Sequence, residues 1–189
     1  MGLYLLRHGS TDANSEDTVR GQIDAPLNAE GKQDAKKQAE KWGKEPVSAI
    51  YSSDLSRALD CAKAISASTG VAVRPTRQLR TWGRGPDIEG KPTKSVQALI
   101  DSYIARPNIA PRGGESWAAF VHRIIHALQF IESQGPKFGD VLAVTHLTPI
   151  IVVKDWVKAG RPADPMKADY RNPDLKSIDT GSDYYVPDS

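Results

Sequence analysis

Gly2-Leu3-Tyr4-Leu5-Leu6-Arg7-His8-Gly9 follows the initial methionine. Five mostly apolar residues run directly into a cation, an imidazole and a glycine. A short apolar run without helical spacing reads as a strand buried on both faces, as in a parallel sheet. Two further runs share the pattern, Val47 to Tyr51 (VSAIY) and Val141 to Val144 (VLAV), each flanked by turn or polar residues. Helical patterns lie between and after them. Asn28 to Trp42 starts on a good N-cap residue, Leu55 to Thr69 places Leu59, Ala62 and Ile65 on one stripe, and Ser116 to Ile131 spaces Phe120, Ile124, Leu128 and Ile131 at helical intervals. A last helix is predicted near Pro149 to Lys158. Strand and helix alternate, which predicts an α/β fold, a three-layer α/β/α sandwich with a mostly parallel central sheet.

The segment from Arg80 to Pro111 breaks this rhythm. Its Gly and Pro clusters surround one helical stretch, Lys94 to Arg106, and predict an insertion over the C-terminal edge of the strands within a single domain spanning 1–189. The tail from Arg161 to Ser189 is polar and is expected to wrap the surface, with a short strand at Tyr184 to Val186.

Composition narrows the function classes. A chain of 189 residues suits one domain. A net charge of +2, with basic residues scattered, argues against a nucleic-acid partner, so any anion site must be local. The single cysteine, Cys61, excludes an intrachain disulfide and every multi-thiolate metal site, and reads as a small buried apolar residue. No run approaches the ~20 apolar residues of a membrane span, and the first run is too short for a signal peptide. The expectation is a cytoplasmic protein without a membrane partner.

In open parallel sheets, ligands sit beyond the carboxyl ends of the strands. The residues just past each apolar run are therefore informative. Arg7-His8-Gly9 comes after the first, Ser52, Ser53 and, a helical turn later, Arg57 after the second, and Thr145-His146 after the third. Two guanidiniums and two imidazoles thus come from distant parts of the chain to one sheet edge. Arg7, at the end of a buried strand, needs an anionic partner to offset its desolvation. A phosphate dianion suits such a pocket, because the planar guanidinium fork matches phosphate oxygens bidentately. One imidazole, kept neutral by the flanking cations, would be the nucleophile.

These residues resemble the histidine phosphatase superfamily, the phosphoglycerate mutase-like family, over most of the chain. Arg7-His8-Gly9 is similar to its signature, in which the His accepts the phosphoryl group and the Arg binds phosphate. Gly21 through Gln33, Ser53 through Ala58, Gly114-Glu115-Ser116 and Thr145-His146 resemble its later motifs in the same order. The resemblance implies that His8 forms a phosphohistidine while Arg7, Arg57 and His146 hold phosphate oxygens. It also implies substrate-side roles for Asn14, Arg20, Gly9 and Leu147, with Gly9 letting the backbone turn beneath the phosphate. Leu147 stands where the family often has Gly. The implied activity is a metal-independent phosphomonoester hydrolase without cofactor, acting on a small phosphorylated metabolite or phosphopeptide. Mutase-type phosphoryl transfer and a catalytically weak relative that binds phosphorylated ligands are the alternatives. The family's usual acid, a glutamate after a Leu-Arg pair, is replaced by Thr81. Asp87, on a loop one residue longer than the family pattern, is the candidate general acid, and Glu89 is expected to be structural. His122 and His126 lie four apart on a predicted helix without the surroundings of a zinc motif. Trp82 and Trp117 flank the insertion, where packing is the expected role.

Overall fold

A computed structural model describes residues 2–12, 17–133, 139–170 and 181–186. The first strand, β1 (Leu3–Arg7), is followed by α1 (Ala29–Trp42), β2 (Val47–Ser53), α2 (Ser56–Thr69), β3 (Val73–Thr76) and a single 3₁₀ turn at Arg77–Leu79. Then come α3 (Thr93–Ala105), α4 (Trp117–Ser133), β4 (Asp140–Thr145), α5 (Leu147–Lys158), a second 3₁₀ turn at Pro165–Lys167 and β5 (Asp183–Val186). The sheet order is β3-β2-β4-β1-β5. The first four strands are parallel and β5 runs antiparallel to β1. The mostly parallel sheet predicted from the three apolar runs is what forms.

Alternation along the central strands explains the layering. Leu6, Ile50, Leu142 and Val144 face a cluster with Ala35 and Trp42 of α1 and Ala58, Ala62 and Ile65 of α2. Leu5, Ala49, Val141 and Ala143 face the opposite way, onto Phe120, Ile124 and Leu128 of α4 and Ile150, Val153 and Trp156 of α5. Successive residues of a strand point to opposite faces, so an uninterrupted apolar run requires cover on both sides.

Local signals place the helix starts. Asn28 accepts the Gly31 N–H at 2.8 Å and caps α1. Asp24 Oδ1 accepts from both the amide and the hydroxyl of Ser56, at 2.8 and 2.7 Å, and so caps α2 from the loop before α1. Strand β3, which the sequence does not announce, is a four-residue edge strand carrying Pro75. Proline lacks the donor for a central strand and is confined to such edges.

Register aligns the functional residues. Arg7 lies level with Thr145, and the His8 amide donates to Thr145 O at 3.1 Å, so the ends of β1 and β4 are tied together. The segment after β1 is stitched to the insertion through Val19 N to Lys91 O and Gly90 N to Val19 O, at 2.9 and 2.7 Å. Trp82 and Ile88 anchor the insertion in the core. No helix of the described residues is long and apolar enough to cross a membrane.

Candidate active site

Beyond the strand ends lies a cavity of about 850 Å³ lined by Arg7, His8, Arg57 and His146. The structure therefore gathers the four side chains that the sequence singles out. The two imidazoles stand edge to face with centroids 5.0 Å apart. His8 Nδ1 is 2.7 Å from the carbonyl of Gly9. A carbonyl only accepts, so Nδ1 carries the proton and Nε2 keeps its lone pair. Burial, reinforced by the charges of Arg57 and Arg7, lowers the His8 pKa to about 3. Burial and Arg57 also hold His146 well below the usual imidazole range. Both rings are neutral at pH 7 in the unliganded site.

Arg57 is buried, which lowers its pKa to about 10. Its two terminal nitrogens donate to the carbonyls of Ile23 and Gly21 at 2.9 Å each. The loop of the second motif is thus the clamp that aims Arg57. His146 Nε2 lies 2.9 Å from Ser53 Oγ, while its Nδ1 is enclosed without a hydrogen-bond partner. Leu147 and Thr148 line the cavity as the first residues of α5, whose N-terminal amides add partial positive charge. Arg20 also lines it. Asn14 lies outside the described residues.

Two expected roles are corrected. Asp87 does not line the cavity. It is exposed in a bidentate pair with Arg112 at 2.6 and 3.0 Å, and that guanidinium holds its carboxyl below the usual range, the opposite of what a general acid needs. Gly9 also stays out of the cavity wall. A Cβ there would come 2.5 Å from the carbonyl of Gly31 on α1, so the close approach that requires glycine is to a helix, not to a ligand. The Gly9 amide donates to Cys61 Sγ at 3.4 Å, which gives the buried thiol its place.

Thr81 does line the cavity, where the sequence expects the family's acid. A bracing network behind it fixes the loop. Arg80 pairs bidentately with Asp54 at 2.6 and 2.8 Å, Gln22 Nε2 donates to Thr81 O at 3.1 Å, and Arg123 pairs with Glu115 while donating to the carbonyls of Gln78, Arg80 and Thr81. Glu115 also accepts the Gly83 amide at 3.1 Å, so the Gly-Glu-Ser motif serves this loop as well as the start of α4. Glu89 accepts the Arg84 amide at 2.7 Å, the structural use expected of it. Trp82 packs in the core and donates to Glu115 O at 2.8 Å, whereas Trp117 packs against it and also lines the cavity.

Sequence reasoning missed Arg84 and Asp101, both on the insertion and both lining the cavity. Asp101 accepts from Gln97 at 2.8 Å and is the one carboxylate of the described residues on that wall. Neither had a signal beyond its place in the insertion. The His122 and His126 rings are 5.8 Å apart, and no cluster of three His, Cys, Asp or Glu side chains suited to a metal occurs among the described residues.

The layered sheet and the cavity at its strand ends, lined by Arg7, Arg20, Arg57 and Arg84, define an α/β protein with a guanidinium-rich pocket at the carboxyl edge. A model of the histidine phosphatase superfamily (branch 1) matches residues 3–185, and the chain belongs to that superfamily. It is 35% identical over 152 residues to phosphoglycerate mutase-like protein 4 of Arabidopsis thaliana, covering 76% of this chain and 65% of that protein. It is 38% identical over 143 residues to glucosyl-3-phosphoglycerate phosphatase of Mycobacterium tuberculosis, covering 72% of this chain and 63% of the relative. The chain thus spans a little under two thirds of the length of these curated relatives. Among solved structures, the native mycobacterial glucosyl-3-phosphoglycerate phosphatase superposes with a TM-score of 0.73 at 30% identity, covering 97% of this chain and 88% of that one. A phosphoglycerate mutase from Thermus thermophilus gives 0.69 at 26% identity, covering 98% and 92%.

Proposed function

We propose that the protein is a metal-independent phosphomonoester hydrolase working through a phosphohistidine at His8. The observation that carries this reading is the His8 ring itself: Nδ1 is tied to the Gly9 carbonyl, so Nε2 presents a neutral lone pair to a cavity walled by Arg7, Arg57 and His146. Nε2 attacks phosphorus, the bond to the leaving oxygen breaks, and the phosphoryl group passes to nitrogen. Arg7 and Arg57 neutralise its oxygens, which is most of what phosphoryl transfer requires. With the Ser53 hydroxyl donating to Nε2 of His146, the enclosed Nδ1–H of that ring donates to the same group. Water then attacks the phosphohistidine and releases inorganic phosphate. Thr81 is no acid near neutral pH, so aryl phosphates, whose leaving groups need no proton, turn over faster than alkyl ones. Relatives named phosphatases, including a metal-independent phosphoserine phosphatase of Arabidopsis thaliana, support the reading. A cavity of about 850 Å³ is larger than a three-carbon acid fills, which favours a bulkier phosphomonoester as substrate.

The test is acid-sensitive, alkali-stable labelling of the protein from a radioactive phosphomonoester, together with p-nitrophenyl phosphate turnover in EDTA. His8→Ala is expected to lose the label and at least about a thousandfold of activity, as removal of a nucleophile does, while retaining its circular dichroism. A folded His8→Ala protein with undiminished turnover ends the proposal.

A further inference from the structure

Arg84 lines the same cavity as His8, yet the phosphoryl chemistry assigns it no task. Its backbone amide is held by Glu89, and its guanidinium lies 4.9 Å from the centre of the Trp82 ring. Its Nε is enclosed without a hydrogen-bond partner, and no carboxylate of the described residues forms an ion pair with it. Burial lowers its pKa to about 10, so it remains a cation at neutral pH. The charge of Glu89 offsets part of that desolvation from a distance, and a partly buried guanidinium with no direct carboxylate contact on a cavity wall keeps donors for an anionic ligand.

The rest of that wall is mostly apolar, with Thr93, Gln97 and Asp101 among its polar side chains. Ile100, Ile104 and Pro107 of the insertion face the cavity together with Trp117, Ile151 and Tyr170 from beyond it. The volume of about 850 Å³ is in the range that holds drug-sized ligands. A phosphoryl group at His8 therefore leaves most of the space to a body that contacts chiefly aliphatic and aromatic side chains, with the partly buried Arg84 cation beside it.

From this juxtaposition we infer that Arg84 binds a second anionic group, a carboxylate or a phosphoryl group, carried by the otherwise apolar leaving group of the phosphomonoester. The inference rests on the hydrolase reading for which bond is cleaved, but not for the binding itself. Arg84 is then a specificity residue, supplied by the insertion rather than by the strand ends.

Binding of non-hydrolysable probes separates the two readings. Benzylphosphonate is compared by calorimetry with its ortho, meta and para carboxylate derivatives and with xylylene bisphosphonates, on the wild type, Arg84→Met and Arg84→Lys. At least one doubly anionic probe is expected to bind the wild type about tenfold tighter or more, the worth of one charge-assisted contact. Arg84→Met is expected to erase that gain, to leave benzylphosphonate affinity within about twofold, and to melt no lower than the wild type without ligand, because the guanidinium makes no direct ion pair whose loss would cost stability. Arg84→Lys retains part of the gain. Carboxylate or bisphosphonate preference identifies the second group. Equal binding of singly and doubly anionic probes by the wild type overturns the inference, as does a gain that survives in Arg84→Met. An Arg84→Met variant that melts lower and weakens both probes alike also overturns it, by making the residue structural. Selective binding without any turnover of p-nitrophenyl phosphate would remove the hydrolase reading and keep the subsite, whereas turnover without selectivity would do the reverse.

Discussion

The two walls of the cavity are built by different means. On the strand-end wall, Arg7 and His8 leave from the end of β1, Arg57 from the first turn of α2, and His146 from the joint between β4 and α5. Sheet register fixes them, and main-chain carbonyls hold the His8 and Arg57 side chains from behind. The insertion wall is a loop and one helix, α3, with Thr81, Arg84, Gln97, Ile100, Asp101 and Ile104 facing the cavity. Its position depends on ion pairs and amide contacts from remote elements, such as Glu115 and Arg123. Under the proposed hydrolase reading, rigid elements hold the groups that would meet phosphorus at bonding distance, and a loop-rich segment shapes the space for what leaves.

Substitutions on the first wall should damage chemistry, and those on the second should alter selection or nothing. Arg57→Ala is the strongest test after His8. Its loss should lower kcat/KM by about a hundredfold to a thousandfold, the range for removing a preorganised charge donor, as read by steady-state kinetics. A change below threefold would place the phosphoryl group elsewhere.

Acid should weaken the strand-end wall next. His8 titrates near pH 3 when folded and near 6.5 when unfolded. Between those values the unfolded chain binds more protons, so stability is complete above the unfolded value and falls as pH drops below it. The slope is about 1.4 kcal/mol per pH unit for this one group. Denaturant titrations from about pH 6 to about pH 4 should show a shallower decline in His8→Ala than in the wild type. Parallel declines would mean that the ring is not desolvated. His146 adds to the loss in both proteins, since burial lowers its pKa in the same direction.

Gly9→Ala probes the joint beneath His8. The added methyl would meet the Gly31 carbonyl at 2.5 Å, against backbone that cannot rotate away. A loss of about 1 to 3 kcal/mol is expected, as for overpacking, measured by urea denaturation, with phosphate affinity falling only through displaced His8. Unchanged stability would remove the close packing of this turn on α1. At the far end of the scale is Asp87→Asn. Its carboxylate is paired in solvent with Arg112 and does not face the cavity. Turnover of alkyl and aryl phosphates should both stay within about twofold of the wild type, as for a surface pair. A selective loss on alkyl phosphates would restore Asp87 as an acid and redraw the boundary between the walls.

Much of the site was legible because strand ends are. The runs ending at Leu6, Tyr51 and Val144 announce buried strands, and a parallel sheet brings the residues after them to one edge. The motif Gly21 to Gln33 is legible as a resemblance, but its uses are not. Only contacts show that Gly21 and Ile23 hold Arg57, that Asp24 caps α2 and that Gly31 makes room for Gly9. Strand β3 escaped notice because four residues with a proline and two exposed positions carry no alternation.

By itself the sequence determined the layered α/β architecture and the convergence of Arg7, His8, Arg57 and His146, because apolar periodicity and strand direction are local properties that survive folding unchanged. The tertiary structure alone decided which side chains of the segment from Thr81 to Glu89 turn toward the cavity. Thr81 and Arg84 face it while Asp87 pairs outward with Arg112. The path of that loop is set by partners such as Gln22, Glu115 and Arg123, distant in sequence, and no pattern within the loop encodes them.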